Sequence, residues 1–199
     1  MESKHKNALI GALLAVVFVM AVGYAAFAQL LTINGTATID SNWDVHFDPN
    51  QNTASPTMGA GGTVQPTGTI AYTSNNTVAT LTANLKQPGD EVSFTLKPSN
   101  YGSLNAKAQA FPEIVAADDE TGTLTFSNDN KTATKGNIQW DIVSFTNKAK
   151  IDGAGGSTLA DANQDTIVVK ASFIGGQNQA VEANQSAKIK ITINYQQVA

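Results

Sequence analysis

The sequence predicts an all-β protein, a β-sandwich or jelly roll, preceded by an N-terminal signal helix that is removed on maturation. Three observations predict it. Apolar residues alternate with period two in short runs, those runs are rich in Val, Ile and Thr, and Gly, Asn, Pro or Asp turns separate them. Eight to ten such strands with no amphipathic helix of useful length fit a two-sheet architecture better than any α/β arrangement.

The chain begins with Lys4, His5 and Lys6, followed by an apolar run from Ala8 to Phe27 that closes on Ala26-Phe27-Ala28. A basic start, an apolar middle and a small-x-small end make a signal peptide, with cleavage between Ala28 and Gln29. The run is also long enough to cross a bilayer, so the precursor is expected to touch the membrane. A retained anchor is the alternative, and the lack of a basic flank after Ala28 speaks for cleavage. The expected organisation is a signal peptide at 1–28, an N-terminal strand segment at 29–40 and a sandwich domain at 41–199.

The first predicted strand runs from Gln29 to Ile39 through Leu31, Ile33, Thr36, Thr38 and Ile39, with Gly35 as a bulge or kink. Trp43, Val45 and Phe47 alternate with Asp44, His46 and Asp48 in a half-buried strand ended by Pro49. Residues 49–67 are rich in Gly, Pro, Asn and Thr and read as a loop. Strands follow at Thr69–Thr73 and Val78–Leu85, joined by an Asn75-Asn76 turn. Pro88-Gly89-Asp90 then turns the chain into Val92, Phe94 and Leu96. Asn100 and Gly102 are suited to a positive φ in the next turn. Further strands are expected at Ala106–Ile114, Leu124–Phe126, Ile138–Phe145, Thr166–Phe173 and Lys188–Tyr195, with a short helical turn within Ser157–Asn163. Trp43, Phe94, Phe126 and Trp140 fall at strand spacing and are expected in the core.

Composition narrows the function. The chain is 14% charged with net charge −4, well under the roughly 25% charged residues of ordinary soluble domains. It has no Arg and no basic patch, which removes the electrostatic footprint of a nucleic-acid binder. It has no Cys, so neither disulfides nor thiolate chemistry are available.

Three segments together resemble the TasA/camelysin family of biofilm-matrix proteins. They are the leader VGYAAFA followed by LLTINGTATI, the segment NLKQPGDEVSFTLKPSNYGSLNAKAQ from Asn84 to Gln109, and the terminal KIKITINYQQ. Gln87 is inserted between Lys86 and Pro88, Tyr101 stands between Asn100 and Gly102, and nothing from Ile114 to Lys188 carries a family motif. The resemblance implies a jelly-roll subunit, processed by a dedicated signal peptidase, that joins copies of itself into extracellular fibres. It implies donor-strand polymerisation, with Leu30, Leu31, Ile33, Gly35, Ala37 and Ile39 as the donor strand. The alternation alone also suits pairing of that segment within its own sheet.

Two other functions are weighed. A surface adhesin or carbohydrate-binding module would present exposed aromatics, for which Tyr72, Tyr101 and Tyr195 are the candidates. A camelysin-type metallopeptidase needs a histidine-rich zinc site, and after cleavage only His46 remains, read as an outward strand histidine. No Gly-x-Ser-x-Gly elbow exists, and Asp118-Asp119-Glu120 reads as a solvated turn. No cofactor is expected. Asp161, Asn163 and Asp165 have a spacing that could surround calcium, but lack the glycine and glutamate of a full loop, and a turn capped by side-chain oxygens accounts for them more simply.

Overall fold

The structure, a computed structural model, describes residues 5–7, 10–17, 41–175 and 185–198. The chain divides into two compact units, 1–39 and 40–199. In the first, residues 5–7 and 10–17 are helical, and among the described residues no helix is long and apolar enough to cross a membrane. The expected cleavage site (Ala26, Ala28, Gln29) and the expected donor strand (Leu30, Leu31, Ile33, Gly35, Ala37, Ile39) lie outside the described residues.

The second unit is all-β. Its elements are β1 (Val45–Phe47), β2 (Thr53–Thr57), β3 (Thr67–Thr73), β4 (Val78–Leu85), β5 (Glu91–Leu96), β6 (Pro98–Asn100), β7 (Ala106–Ala108), β8 (Glu113–Ala116), β9 (Thr125–Phe126), β10 (Thr132–Lys135), β11 (Ile138–Phe145), β12 (Ile167–Phe173), β13 (Gln185–Thr192) and β14 (Tyr195–Gln197), with a 3₁₀ turn at Asp161–Asn163. A six-stranded sheet has the order β2-β5-β12-β11-β10-β9 and a four-stranded sheet the order β3-β4-β13-β8. Two small pairs, β1 with β6 and β14 with β7, complete the unit. Every strand pairing is antiparallel.

The predicted alternation builds the core directly. Ala79, Leu81, Ala83 and Leu85 of β4 are buried, as are Ala187, Ile189 and Ile191 of β13, while Thr80, Thr82, Lys188 and Lys190 point away. Opposite them, Val92, Phe94 and Leu96 of β5, Ile167, Val169, Ala171 and Phe173 of β12 and Ile138, Trp140 and Ile142 of β11 bury the other sheet's inner face in the same cluster. In register, Val92 lies beside Ala171 and Ala171 beside Trp140. The small Ala171 leaves room for the indole, whose ring stacks on Phe94 with centroids 5.5 Å apart.

Several expectations are corrected. The stretch 49–67 is not all loop: it contains β2, an edge strand in which Pro56 pairs opposite Val92. An edge is where a sheet tolerates a residue that cannot donate a backbone hydrogen bond. The expected strand Ala106–Ile114 is two strands, β7 and β8, belonging to different sheets. β10 was not foreseen, because Thr-Ala-Thr-Lys carries one apolar residue. The helical turn contracts to Asp161–Asn163. Trp43 and Phe126 are not core residues, being 43% and 37% exposed. Neither Asn100 nor Gly102 has a positive φ; that conformation falls instead on Ser74, Asn75, Asn76, Asn130 and Asn147, and on glycines such as Gly89 at φ 86°.

The Pro88-Gly89-Asp90 turn is held from inside. Asp90 is fully buried, and its carboxylate accepts from the amides of Lys86 (2.7 Å), Gln87 (3.1 Å) and Gly59 (2.9 Å). One side chain thus ties the turn before β5 to the loop after β2, satisfying three amides that would otherwise lack strand partners.

Candidate functional site

The most elaborated part of the surface is the seam where residues 41–48 join the sandwich. β1 pairs with β6, Val45 facing Asn100 and Phe47 facing Pro98. Ahead of β1 the chain crosses the turn that follows β6. Asp44 O accepts from the amides of Tyr101 (2.8 Å) and Gly102 (3.2 Å), and Asn42 O from that of Ser103 (2.9 Å). The Asn42 amide in turn donates to Ser103 Oγ (2.9 Å). This close approach requires Gly102: a Cβ there would stand 2.3 Å from Asn42 O.

Asn100 shapes the turn from within. Buried in β6, it donates from Nδ2 to Leu104 O (2.7 Å) and Ile151 O (3.3 Å) and accepts the Gly102 amide on Oδ1 (3.1 Å). The Asn-x-Gly spacing therefore serves a side-chain-capped turn and a backbone crossing, not a left-handed conformation.

Aromatic and acidic side chains close the seam. The His46 ring stacks on Tyr101 with centroids 4.4 Å apart and planes 7° from parallel, and its Nδ1 lies 2.7 Å from Asp44 Oδ1. The Tyr101 hydroxyl donates to Asp48 Oδ2 (2.6 Å). Desolvation and the Asp48 carboxylate push the Tyr101 hydroxyl well above the usual phenol range. Partial burial raises Asp48, but hydrogen bonds from Tyr101 and the Asn50 amide outweigh it, leaving the carboxyl below its ordinary range. Phe47 plugs the core and donates its amide to Asn76 O (2.9 Å), which fixes the seam to the β3–β4 turn. The exposed Trp43 flanks a cavity of about 190 Å³ that Val45, His46, Thr77, Ile193 and Tyr195 also line.

The three residues with calcium-like spacing take separate partners. Asp165 is buried, and its carboxylate accepts from Thr146 Oγ1 (2.8 Å), the Lys148 amide (3.0 Å) and the Tyr195 hydroxyl (2.9 Å). Burial and that carboxylate push Tyr195 far above the usual phenol range. Asn163 accepts the Ala160 amide (2.8 Å) and donates to Asp152 O (2.8 Å). Asp161 points to solvent and pairs with Lys148 (3.0 Å). Among the described residues, no group of three or more His, Cys, Asp or Glu side chains is placed to hold a metal ion.

The sheet edges differ sharply in how they are guarded. β8 ends at Ala116, and beyond it the outer edge of β13 is covered by side chains. The Glu120 carboxylate accepts from the Lys188 amide and from Lys135 Nζ, which also donates to Ser186 O (3.0 Å). Asp118 and Asp119 pair with Lys190 (2.6 Å) and Lys188 (2.5 Å). Asp118 and Asp119 form an exposed turn, as the sequence predicts, whereas the Glu120 side chain is only 4% exposed and guards the edge. β2 carries Pro56, and β9 has two residues. β3 has seven residues, no proline and no charge, and among the described residues no strand pairs with its outer side.

Sequence reasoning missed the seam and the edge guard. His46 and Tyr101, or Glu120 and Lys188, are far apart in the chain, and no local pattern links them. No protein-family model, curated protein or solved structure matches the chain.

Proposed function

We propose that the chain is a structural subunit of an extracellular fibre, exported by its leader and polymerised by donating the strand Leu30–Ile39 to the next copy. In this reading the sandwich is a jelly roll and the free edge of β3 is the acceptor. One observation carries the proposal: among the described residues β3 is a seven-residue, uncharged edge that no strand covers, whereas the other edges are short, proline-bearing or covered by side chains. Such an edge is a template for pairing with another chain, with backbone hydrogen bonds supplying affinity and alternate side chains supplying fit. The seam adds support, since it fastens the residues that directly follow the donor segment. The family resemblance of the leader, of Asn84–Gln109 and of the last strand points the same way.

The test is negative-stain microscopy of residues 29–199 beside residues 41–199. Fibres from the longer form that the shorter form does not make are the expected result. Hydrogen exchange of fibres against dilute subunits then locates the acceptor, with new protection expected at Thr67–Thr73. Subunits that stay monomeric in the longer form would remove the fibre reading.

A second reading rests on Trp43, whose exposed ring beside the seam cavity is a surface on which a sugar could stack. Quenching of Trp43 fluorescence by oligosaccharides, lost in Trp43→Ala, would favour a carbohydrate-binding module.

A further inference from the structure

From Pro49 to Leu85 the sequence contains no Asp, Glu, Lys, Arg or His. This stretch includes β2, β3 and β4, so these three strands supply no ionised group of their own to hydrate them. Within it stands Asn75-Asn76-Thr77, the Asn-x-Thr pattern that N-glycosyl transferases accept in exported chains. The pattern recurs at Asn130-Lys131-Thr132, and also at Asn34-Gly35-Thr36 and Asn184-Gln185-Ser186, whose asparagines lie outside the described residues; the structure treats Asn75 and Asn130 differently.

Asn75 sits at the tip of the β3–β4 hairpin, where Ser74, Asn75 and Asn76 take φ of 53°, 55° and 64°. The tip is held without help from its side chain. Thr77 donates its amide (3.2 Å) and its hydroxyl (2.7 Å) to Ser74 O, and Asn76 O accepts from Phe47. Asn75 and Thr77 are both exposed, and the Asn75 amide group has no hydrogen-bond partner among the described residues. Asn130 is half-buried, with Nδ2 3.5 Å from the Glu113 carboxylate and its carbonyl accepting the Ile114 amide (2.7 Å). Its Thr132 is a β10 residue whose hydroxyl donates to Asp141 (2.9 Å). A bulky, hydrated glycan fits the first place without disturbing a contact and displaces a sheet-to-sheet contact at the second.

We propose that Asn75 is an N-glycosylation site and that Asn130 is left bare. This rests on the reading that the chain is exported, because the donor and transferase belong to the export membrane. The donor class is a polyisoprenoid phosphate or pyrophosphate carrying a glycan. Asn75 Nδ2 attacks the anomeric carbon, the new N–C bond forms as the C–O bond to phosphate breaks, and the lipid phosphate departs. Nδ2 gives up one of its two protons, and nothing is oxidised or reduced. The glycan then hydrates the uncharged β3–β4 hairpin from its tip and leaves the outer edge of β3 open.

The test is glycopeptide mass spectrometry on the full chain recovered from outside its native cells and cut with chymotrypsin. Hexose and N-acetylhexosamine increments on the Asn75 peptide, with an unmodified Asn130 peptide, are expected. Asn75→Asp, which tolerates the left-handed turn, abolishes the increment, whereas Thr77→Ser retains it. An extracellular chain with bare Asn75, or one modified at Asn130 instead, overturns the proposal and leaves export standing. A chain found only inside the cell and unmodified overturns both.

Discussion

Gly102 shows how much one missing carbon can decide. The seam exists because the backbone of Asn42–Asp44 passes directly over it, and a methyl group would push into Asn42 O. Gly102→Ala is expected to cost about 2 kcal/mol, or roughly 5 °C in Tm for a domain of this size. Thermal melts of the variant check this, and a loss of Tyr101–His46 stacking in the aromatic circular dichroism should accompany it. Tyr195 and Tyr101 make a second prediction at this scale. Both hydroxyls donate to carboxylates, and both titrate higher in the folded chain than in the unfolded one. Folding therefore favours the protonated phenol. That stability is complete below about pH 10, the unfolded value, and is lost as pH rises above it. Urea unfolding between pH 8 and 11.5 should show a falling midpoint above pH 10, with a shallower fall in Tyr195→Phe.

Most of the strands that sequence reading located bury large apolar residues on their inner faces, although β3 and β9, also located, contain no fully buried residue. Val92, Phe94 and Leu96 announce β5, and Ile189 and Ile191 announce β13, because burial imposes the period-two pattern that the eye detects. β2 and β10 escape it. Thr53–Thr57 lies mostly exposed at an edge, and Thr132–Lys135 buries only Ala133. The same limit hid the seam and the edge guard, which depend on contacts between distant segments. The expected cleavage site and N-terminal strand lie outside the described residues, and of the leader, residues 5–7 and 10–17 are described. The guard on β13 is itself testable. Glu120→Ala leaves the Lys188 amide without its acceptor and Lys135 without its counter-charge, a loss of about 2 kcal/mol. An uncovered β13 edge should also produce dimers on size exclusion that Lys190→Ala, which removes only the exposed Asp118 pair, does not.

At the scale of the whole molecule, charge is unevenly distributed. The guarded edge carries the Lys135–Glu120, Lys188–Asp119 and Lys190–Asp118 pairs, while residues 49–85 contribute none. Assembly through β3 would therefore rely on backbone hydrogen bonding and apolar fit. Polymerisation of residues 29–199 is expected to change less than about twofold between 50 and 500 mM NaCl, because screening acts on charges that this edge lacks. Light-scattering growth curves would settle the point, and a steep fall with salt would assign the contact to the charged edge instead.

The seam also decides how the domain would answer a pull. Tension entering at Ser41 along the axis of β1 meets the hydrogen bonds of Asn42, Asp44 and β1 side by side, so that they shear together. The same force directed outward from the surface opens them one after another from Asn42, a much weaker arrangement. Resistance to stretching would then come from the direction in which β1 lies, with no cysteine needed to secure it.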